Sequence, residues 1–228
     1  MIRRIGVLIP ARDEQRLLPA ALDALARAAA RCPLPVSVVV IADGCVDATA
    51  RVAADAGAQV IELDARCVGR ARGAGADALI AELGIEGTWL ATTDADSRVP
   101  EHWLARHARL AADGADAIVG TVQVTDWSGY PASVRRRYAR RYVHADGHRH
   151  VHGANLGLSA AAYRAVGGFP ALAAHEDVAV VAALEAGGFR IAWAGDLAVT
   201  TSARRVARAP DGFARHLRSL AAGRRRLA

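Results

Sequence analysis

The chain has 228 residues, 53% of them hydrophobic, which is enough to bury the core of one large domain. Its cysteines, Cys32, Cys45 and Cys67, are odd in number and match no zinc spacing, which argues against a disulfide framework or a structural zinc and favours the reducing cytoplasm. The formal net charge is +6 and all 29 basic residues are arginine, but no nucleic-acid-binding signature accompanies them, so nucleic acid is not an expected partner.

The first half of the chain alternates between apolar runs and amphipathic stretches, which is the pattern of a parallel sheet with helices on its faces. Strands are predicted at residues 5–9, 36–41, 60–63, 89–92 and 117–122. Helices are predicted between them, at residues 15–30, 47–56, 68–83 and 100–112, the last of them opened by Pro100. We therefore expect an α/β fold with a mostly parallel sheet flanked by helices.

The regular alternation stops near residue 125. Residues 125–152 are rich in Arg, Tyr, His, Gly and Pro and have no clean period, which indicates a helix-containing excursion over the sheet. After it, strands are predicted at residues 155–159, 191–193 and 197–200, and helices at residues 160–166, 177–186 and 213–220. Because the excursion leads back to ordered elements and no internal repeat is found, we expect a single domain.

Two carboxylates one residue apart follow the fourth predicted strand, in the stretch Thr92-Thr93-Asp94-Ala95-Asp96. At the carboxyl edge of a parallel sheet, such side chains face the crevice in which α/β proteins bind ligands. Carboxylate oxygens suit Mg²⁺ or Mn²⁺, which also bind substrate phosphates. The stretch therefore predicts a cation site for a nucleotide diphosphate, although a short motif of this kind, taken alone, is more often a solvated turn.

Seven short motifs follow one another along the chain: Pro10-Ala11-Arg12-Asp13-Glu14, Ala42-Asp43-Gly44-Cys45-Val46-Asp47, Gly69-Arg70-Ala71-Arg72, Asp94-Ala95-Asp96, Gly153-Ala154-Asn155, Val166-Gly167-Gly168-Phe169 and His175-Glu176-Asp177. In residue type and order they resemble the motifs of family-two glycosyltransferases with the GT-A fold. The resemblance covers about residues 5–205. It implies a metal-dependent transfer of a sugar from a nucleotide-sugar donor to an unidentified acceptor hydroxyl, with residues 1–122 as the nucleotide-binding half and residues 123–228 as the acceptor-binding half.

The acid after the second strand is a nucleotide contact in the family that these motifs resemble. The resemblance implies that Asp43 binds the base or the ribose, with Pro10, Arg12 and Glu14 beside it. An Asp at this position is also an ordinary N-cap for the next helix, which is the alternative interpretation. The usual hydroxyl residues of this turn are replaced here, so no hydroxyl contact to the nucleotide is expected from it.

The acids after the fourth strand take the metal in that family. The resemblance implies that Asp96 contacts Mg²⁺ or Mn²⁺ directly, and that Asp94 contacts the ribose or a metal-bound water. Arg70 and Arg72 stand at a predicted helix start, where they are either solvated or ligands of the diphosphate. We take Arg70 as the predicted nucleotide contact.

The acidic pair Glu176-Asp177 opens a predicted helix, where two acids also complement the helix dipole. In the family, the second acid is the general base that deprotonates the acceptor hydroxyl. The resemblance therefore implies that Asp177 is the catalytic base, that Glu176 supports it and that His175 contacts substrate. A single carboxylate base implies inversion at the anomeric carbon.

Three further substrate contacts are implied by the resemblance. Gly153 and Asn155 belong to the Gly-x-Asn block, and Arg204 lies in Thr201-Ser202-Ala203-Arg204-Arg205, which resembles a Thr-Ser-x-Arg segment of small family members. There Arg204 would reach the diphosphate or the metal. The alternative for this last segment is a basic surface loop.

Four histidines alternate with other residues in the excursion: His144, His148, His150 and His152. They suggest a metal cluster, but this spacing in a Gly- and Arg-rich loop is more typical of a solvated segment. His152, next to the Gly-x-Asn block, is the one expected to face the active site.

Two other functions remain open from the sequence. A sugar-phosphate nucleotidyltransferase shares this sheet but needs a Gly-rich basic loop after the first strand, where this chain has Pro10-Ala11-Arg12-Asp13-Glu14. A non-catalytic nucleotide-sugar-binding member is disfavoured by the intact acids. Separately, arginine clusters at residues 135–141, 204–208 and 224–226 suggest peripheral contact with an anionic membrane.

Overall fold

The structure is a computed structural model and describes residues 1–205 and 213–221. The arginines predicted as part of basic clusters at 208 and 224–226 lie outside these residues. In chain order the elements are β1 (Arg4–Ala11), α1 (Leu18–Ala30), β2 (Val36–Asp43), α2 (Thr49–Asp55), β3 (Gln59–Leu63), α3 (Val68–Leu83), β4 (Thr88–Thr92), β5 (Ser97–Arg98), α4 (Trp103–Ala112), β6 (Ala117–Gln123), α5 (Ala132–Arg141), β7 (Leu156–Ser159), α6 (Ala160–Ala165), α7 (Glu176–Ala186), β8 (Ile191–Thr201) and α8 (Phe213–Ala221). A short 3₁₀ helix, Gly153–Asn155, directly precedes β7.

The strands form one eight-stranded sheet in the order β3-β2-β1-β4-β7-β6-β8-β5. Strands β3, β2, β1 and β4 pair in parallel, and so do β6 and β8. Strand β7 runs antiparallel to both of its neighbours, and the short β5 runs antiparallel to β8. The predicted α/β fold with a mostly parallel sheet is confirmed, and the carboxyl ends of β1, β2 and β4 meet at one edge.

Apolar residues are buried on both faces of the sheet because successive strand side chains point to opposite sides. In β1, Val7 packs in the cluster that includes helices α1 and α4, whereas Leu8 packs in the cluster that includes α3 and α7. A third cluster joins the end of β6 to α5 and α8. The excursion after residue 124 is thus packed onto the same domain through α5.

Several boundaries differ from the sequence prediction: helix α4, for example, begins at Trp103 rather than at Pro100, which lies in a turn closed by the bond from the N–H of Trp103 to its carbonyl. Helix α1 begins at Leu18 rather than at residue 15, since the N–H groups of Leu17 and Leu18 both bond to the carbonyl of Glu14 in a preceding turn. The strands predicted at 191–193 and 197–200 are one strand, β8, with a bulge opposite Gly120 and Thr121 that absorbs residues 195–197. Because an inserted Gly looks like a strand break in sequence, the bulge was missed.

The bulge also holds the excursion in place. The N–H of Gly195 donates to Asp146 Oδ1 over 2.8 Å, and a Cβ at Gly195 would come within 2.2 Å of the backbone of Ala145. Any larger residue at 195 would therefore push the excursion away from β8. Among the described residues, no helix combines the length and apolar composition needed to cross a bilayer.

Candidate active site

A cavity of about 590 Å³ opens at the carboxyl edge of the sheet. It lies between the loops after β1, β2 and β4, the end of α5 with residues 149–154, and the start of α7. All of the predicted site residues except Arg70 and Asn155 line it: Pro10, Arg12, Glu14, Asp43, Asp94, Asp96, Gly153, His175, Glu176, Asp177 and Arg204. The fold therefore brings together motifs that are far apart in sequence.

Asp43, the last residue of β2, holds the loop between β3 and α3. Its Oδ1 accepts hydrogen bonds from the N–H groups of Ala65 and Arg66, and its Oδ2 accepts one from Cys67, each over 2.7 Å. Asp43 does not cap the next helix: the N-cap of α2 is Ala48, and the carboxylate beside it is that of Asp47, whose Oδ1 accepts from the N–H of Thr49. Asp43 thus uses three of about four acceptor sites on its carboxylate to shape one wall of the cavity.

Arg72 is the centre of a buried charged network beneath the cavity. Its Nε donates to Glu176 Oε1 over 2.8 Å, its Nη2 donates to Asp94 Oδ1 over 2.7 Å, and its Nη1 donates to Thr92 Oγ1. Burial lowers the pKa of Arg72, but Asp94 and Glu176 raise it by more, so the guanidinium stays charged. One side chain on α3 therefore ties the acids after β4 to the acids that open α7.

Gly153 contacts this network in two ways. A Cβ at this position would lie 2.4 Å from Nη2 of Arg72, so no side chain fits above the guanidinium. The N–H of Gly153 also donates to Asp177 Oδ2 over 2.6 Å. The Gly-x-Asn block thus covers Arg72 on one side and orients Asp177 on the other.

Asp177 lies in the first turn of α7 and is held by backbone groups. In addition to the bond from Gly153, its Oδ1 accepts from the N–H of Val178 over 2.8 Å. Burial raises the pKa of Asp177; Glu176 also raises it, whereas Arg72 and the two N–H groups lower it. The preceding His175 has a left-handed backbone, with φ of 66°, which is uncommon for a residue with a side chain. A strained residue beside a carboxylate of raised pKa is typical of a functional site.

Asp96 and Arg204 form an ion pair on the opposite side of the acid cluster. Nη2 of Arg204 lies 3.1 Å from Asp96 Oδ2, and Nη1 of Arg204 bonds to the buried carboxylate of Glu14. Burial raises the pKa of Asp96 to about 7; Arg204 lowers it, and Asp94 and Glu14 raise it. Arg204 therefore bridges the carboxylates of Glu14 and Asp96, and Asp94, which pairs with Arg72, lies beside them.

Aromatic rings form the wall that faces these acids. The rings of Tyr142 and His150 are stacked with centroids 4.0 Å apart, and the Tyr142 hydroxyl lies 2.8 Å from His152 Nε2 and accepts from the N–H of Val122. Tyr138 stacks on Tyr142 from the other side. His152 lines the cavity, as the sequence predicts, whereas the stack itself was not anticipated because it has no periodic signal.

The histidines of the excursion do not converge on a point. Within the described residues, the one group of three such side chains close enough together to share an ion is Asp13, Cys45 and Asp47, which do not line the cavity. Their oxygens are already engaged: the N–H of Val46 donates to Asp13 Oδ1, and the N–H of Thr49 donates to Asp47 Oδ1. The observed role of His150 and its neighbours is ring stacking, in place of the metal cluster that their spacing suggested.

Two predicted site residues lie away from the cavity. Arg70 is exposed on α3, because successive helix positions are about 100° apart and only Arg72 points inward. Asn155 is fully buried: its Nδ2 donates to the carbonyls of Thr121 and Leu197, and its Oδ1 accepts from Trp103 Nε1. Asn155 therefore fastens the 3₁₀ helix to the β8 bulge, and Arg72 occupies the place predicted for Arg70.

Comparison with known proteins gives one family match and several structural neighbours. The model of glycosyl transferase family 2 matches residues 6–166. TarS 1–349 of S. aureus in complex with UDP-GlcNAc has a TM-score of 0.66 and 16% identity, over 96% of this chain and 66% of that chain. The mannosyltransferase PcManGT from Pyrobaculum calidifontis in complex with GDP-Man and Mn²⁺ has a TM-score of 0.67 and 18% identity, over 90% of this chain and 58% of that one.

A third neighbour is glucosyl-3-phosphoglycerate synthase from Mycobacterium tuberculosis in complex with Mn²⁺ and UDP-glucose, with a TM-score of 0.56 and 15% identity over 96% of this chain and 76% of that chain. This chain thus spans only part of the length of these neighbours, and at such identities the likeness establishes the fold. A comparison with curated protein sequences finds no match.

Proposed function

This chain belongs to glycosyl transferase family 2, and on that premise we propose that it transfers a sugar from a nucleotide-sugar donor to an acceptor hydroxyl with inversion at the anomeric carbon. The observation that carries the proposal is that the acids after β4 and the acids that open α7 line one cavity and are joined by the buried guanidinium of Arg72. One group of acids thus serves the donor and the other the acceptor.

The donor occupies the part of the cavity lined by the loops after β1 and β2. Pro10, Arg12, Glu14 and Asp43 line this part, and the loop that Asp43 holds gives the nucleoside a fixed wall. The volume of about 590 Å³ lies within the range of about 300–1,000 Å³ typical of small-molecule sites. The nucleotide-sugars bound by the structural neighbours support this choice of ligand.

A divalent cation, Mg²⁺ or Mn²⁺, fits the acids at this corner of the cavity. Asp96 is buried beside Asp94 and Glu14; burial is the main cause of its raised pKa, Arg204 lowers that pKa and the two neighbouring carboxylates raise it, so a bound cation would favour the ionised form of Asp96. Asp96 would hold the ion with Asp94 beside it, and the hard oxygen ligands suit these ions. Bound there, the ion supplies positive charge to the leaving diphosphate. Mn²⁺ in two of the neighbours supports this assignment.

Asp177 is the proposed base. Each oxygen of its carboxylate accepts one backbone N–H and keeps a further lone pair for a substrate proton. The acceptor oxygen forms the new bond to the anomeric carbon, the bond from that carbon to the diphosphate oxygen breaks, and the acceptor proton passes to Asp177. Direct displacement of this kind inverts the anomeric configuration. Burial, which raises the pKa of Asp177, makes it a better proton acceptor than an exposed Asp.

The location we propose is the cytoplasm, where nucleotide-sugars would meet a reduced protein. Cys32, Cys45 and Cys67 are all free thiols in the structure. Thiols persist in a reducing compartment, which supports this assignment.

The test is a panel of nucleotide-sugars with Mg²⁺ or Mn²⁺, scored by the rise in melting temperature, because a ligand that binds the folded state stabilises it by mass action. We expect one nucleotide class to raise the melting temperature, and only when the cation is present. NMR of the product then reports the anomeric configuration. If the folded protein is stabilised by none of the donors, the proposed donor site is wrong.

A further inference from the structure

The part of the cavity wall formed by residues 122–154 is basic. It presents Arg141, Arg149, His150 and His152 and, within the described residues, no carboxylate. The rest of the cavity lining carries both signs: all of its carboxylates come from the strand-end loops and the start of α7, and four further arginines lie among them, namely Arg12, Arg66, Arg72 and Arg204. We call Arg141, Arg149, His150 and His152 the basic wall. The basic wall is thus the part of the lining in which arginines stand without a carboxylate among the lining residues.

Arg141 is available for a ligand. It is the last residue of α5, it is exposed, and within the described part of the chain its guanidinium has neither a hydrogen bond nor an ion pair. Arg149 stands over the ring of Trp193 at 4.6 Å and pairs with Glu185 over 2.8 Å. That pair is largely exposed, and exposed pairs contribute little, so Arg149 is free to exchange Glu185 for an anion.

The two arginines extend from a rigid base. Tyr142, which follows Arg141, and His150, which follows Arg149, are stacked almost parallel, with 8° between their ring planes. The N–H of Val143 donates to His150 Nε2, and the Tyr142 hydroxyl bonds to both Val122 and His152. Because the neighbours of both arginines are fixed to each other, the two guanidinium groups line the same side of the cavity.

We propose that the basic wall binds a phosphate group on the acceptor, and hence that the acceptor is a phosphate-bearing molecule whose hydroxyl reaches Asp177. This inference rests on the proposed transfer reaction. Planar guanidinium groups recognise phosphate oxygens in pairs, and the guanidinium groups of Arg141 and Arg149 provide positive charge that a neutral acceptor does not need.

The experiment measures direct binding of glycerol 3-phosphate, with glycerol as the uncharged control, by titration calorimetry. The variants are Arg141→Ala, Arg149→Ala and the double variant. Arg135→Ala is the matched control, since Arg135 is an exposed arginine on the same helix that does not line the cavity. We expect glycerol 3-phosphate to bind the wild type and the Arg135→Ala protein alike, and to bind the double variant at least about tenfold more weakly.

A second arm separates a soluble phosphate from a lipid phosphate. Sedimentation with phosphatidylcholine vesicles, with and without phosphatidic acid, shows whether the same wall takes the phosphate from a bilayer. Loss of vesicle binding in the Arg141→Ala protein but not in the Arg135→Ala protein assigns the phosphate to a lipid. Binding of glycerol 3-phosphate without vesicle binding assigns it to a soluble acceptor.

Three results would overturn the proposal: no phosphate binding by the wild type, equal binding by the double variant, or equal loss in the Arg135→Ala protein. If Arg149→Ala lowers the melting temperature, phosphate binding by the Arg141→Ala protein alone tests the proposal, because the Arg141 side chain makes no hydrogen bond or ion pair within the described structure. Nucleoside diphosphate binding is measured in parallel on the same proteins. A loss there, with phosphate binding intact, would place the arginines in the donor subsite instead. A wild type that binds glycerol 3-phosphate but no nucleotide-sugar would contradict the proposed function alone.

Discussion

Arg72 and Glu176 form an ion pair, Nε to Oε1 over 2.8 Å, in which the two side chains are only 4% and 5% exposed. Helix α3 carries the arginine and helix α7 carries the acid. The pair therefore joins the donor side of the cavity to the helix that carries the proposed base, Asp177. A buried charge is tolerated only with its partners in place. The pair is therefore the most sensitive structural element of the site.

Replacing Arg72 by Met should lower the free energy of unfolding by about 3–5 kcal/mol, because it leaves Glu176 buried without its partner. Urea denaturation measures the change. Arg70→Met is the matched control, because it makes the same substitution on the same helix at an exposed position. Its free energy of unfolding is expected to change by no more than about 0.5 kcal/mol. Equal losses in the two variants would mean that the buried network adds nothing to stability.

Asp96→Asn should abolish the cation-dependent binding of donor, because Asp96 is the acid best placed to hold the ion. Calorimetric titration of nucleoside diphosphate with Mn²⁺, and again with excess chelator, measures this. The exposed Asp55 on α2 provides the control substitution, which should leave binding unchanged. Donor affinity that survives chelation at the wild-type level would refute metal dependence.

Asp43→Ala should weaken the binding of free nucleoside diphosphate and also lower the melting temperature, since the N–H groups of Ala65, Arg66 and Cys67 lose their acceptor. Each unmade buried hydrogen bond costs about 1–3 kcal/mol. Asp64→Ala, in the same loop but exposed, is the comparison. Unchanged affinity in the Asp43→Ala protein would show that the nucleotide lies elsewhere.

Asp177→Asn should reduce the rate of transfer by about 10²–10⁴-fold while leaving donor affinity nearly intact. The amide cannot take the acceptor proton, and its NH₂ must face the N–H of Gly153 or Val178. Single-turnover rates and donor titrations separate chemistry from binding. Near-normal transfer, or a product with retained configuration, would rule out Asp177 as the base and direct attention to Glu176 and His175.

The rate of transfer should fall as the pH is lowered, because the base must be ionised. Burial raises the pKa of Asp177, so the midpoint of this fall should lie above the ordinary Asp pKa of about 3.9. Arg72 lowers the pKa of Asp177, so the Arg72→Met change should shift the fall in rate to a still higher pH. The pH profile of kcat at saturating donor and cation measures both shifts, and an acidic limb at the ordinary Asp value in the wild type would contradict the assignment.

Much of the fold was predictable because its strands are buried on both faces. The runs that became β1, β2 and β4 are mostly apolar, and each leads into a motif, as at Asp43 and Asp94. Parallel strands place such ends at one edge, so the motif order along the chain indicated most of the residues that line the cavity, but not the positions of Arg70 and Asn155.

The inward face of α3 was harder to predict. Arg70 and Arg72 both flank the helix start, and the glycines at 69, 73 and 75 remove the apolar stripe that would fix the rotation of the helix. Gly69 is instead explained by the loop above it, because a Cβ there would meet the carbonyl of Pro170 at 2.1 Å. Only the three-dimensional packing of that loop shows which arginine is buried.

The role of Asn155 was likewise hidden in the sequence. Its motif resembles a substrate-binding block, yet its amide is consumed by Thr121, Leu197 and Trp103. Those partners depend on the β8 bulge, which no local pattern reveals. Long-range hydrogen bonds of this kind leave no periodic trace.

The buried network also constrains the order of folding. Arg72 and Glu176 are 104 residues apart in the chain, so closing their contact costs loop entropy that local pairs do not pay. Until α7 arrives, the guanidinium must remain in water or be buried with Asp94 alone, which disfavours a compact intermediate made of the first four strands. Helix α7 thus brings both the proposed base and the partner charge of Arg72, so a chain in which α7 has not docked presents no assembled site.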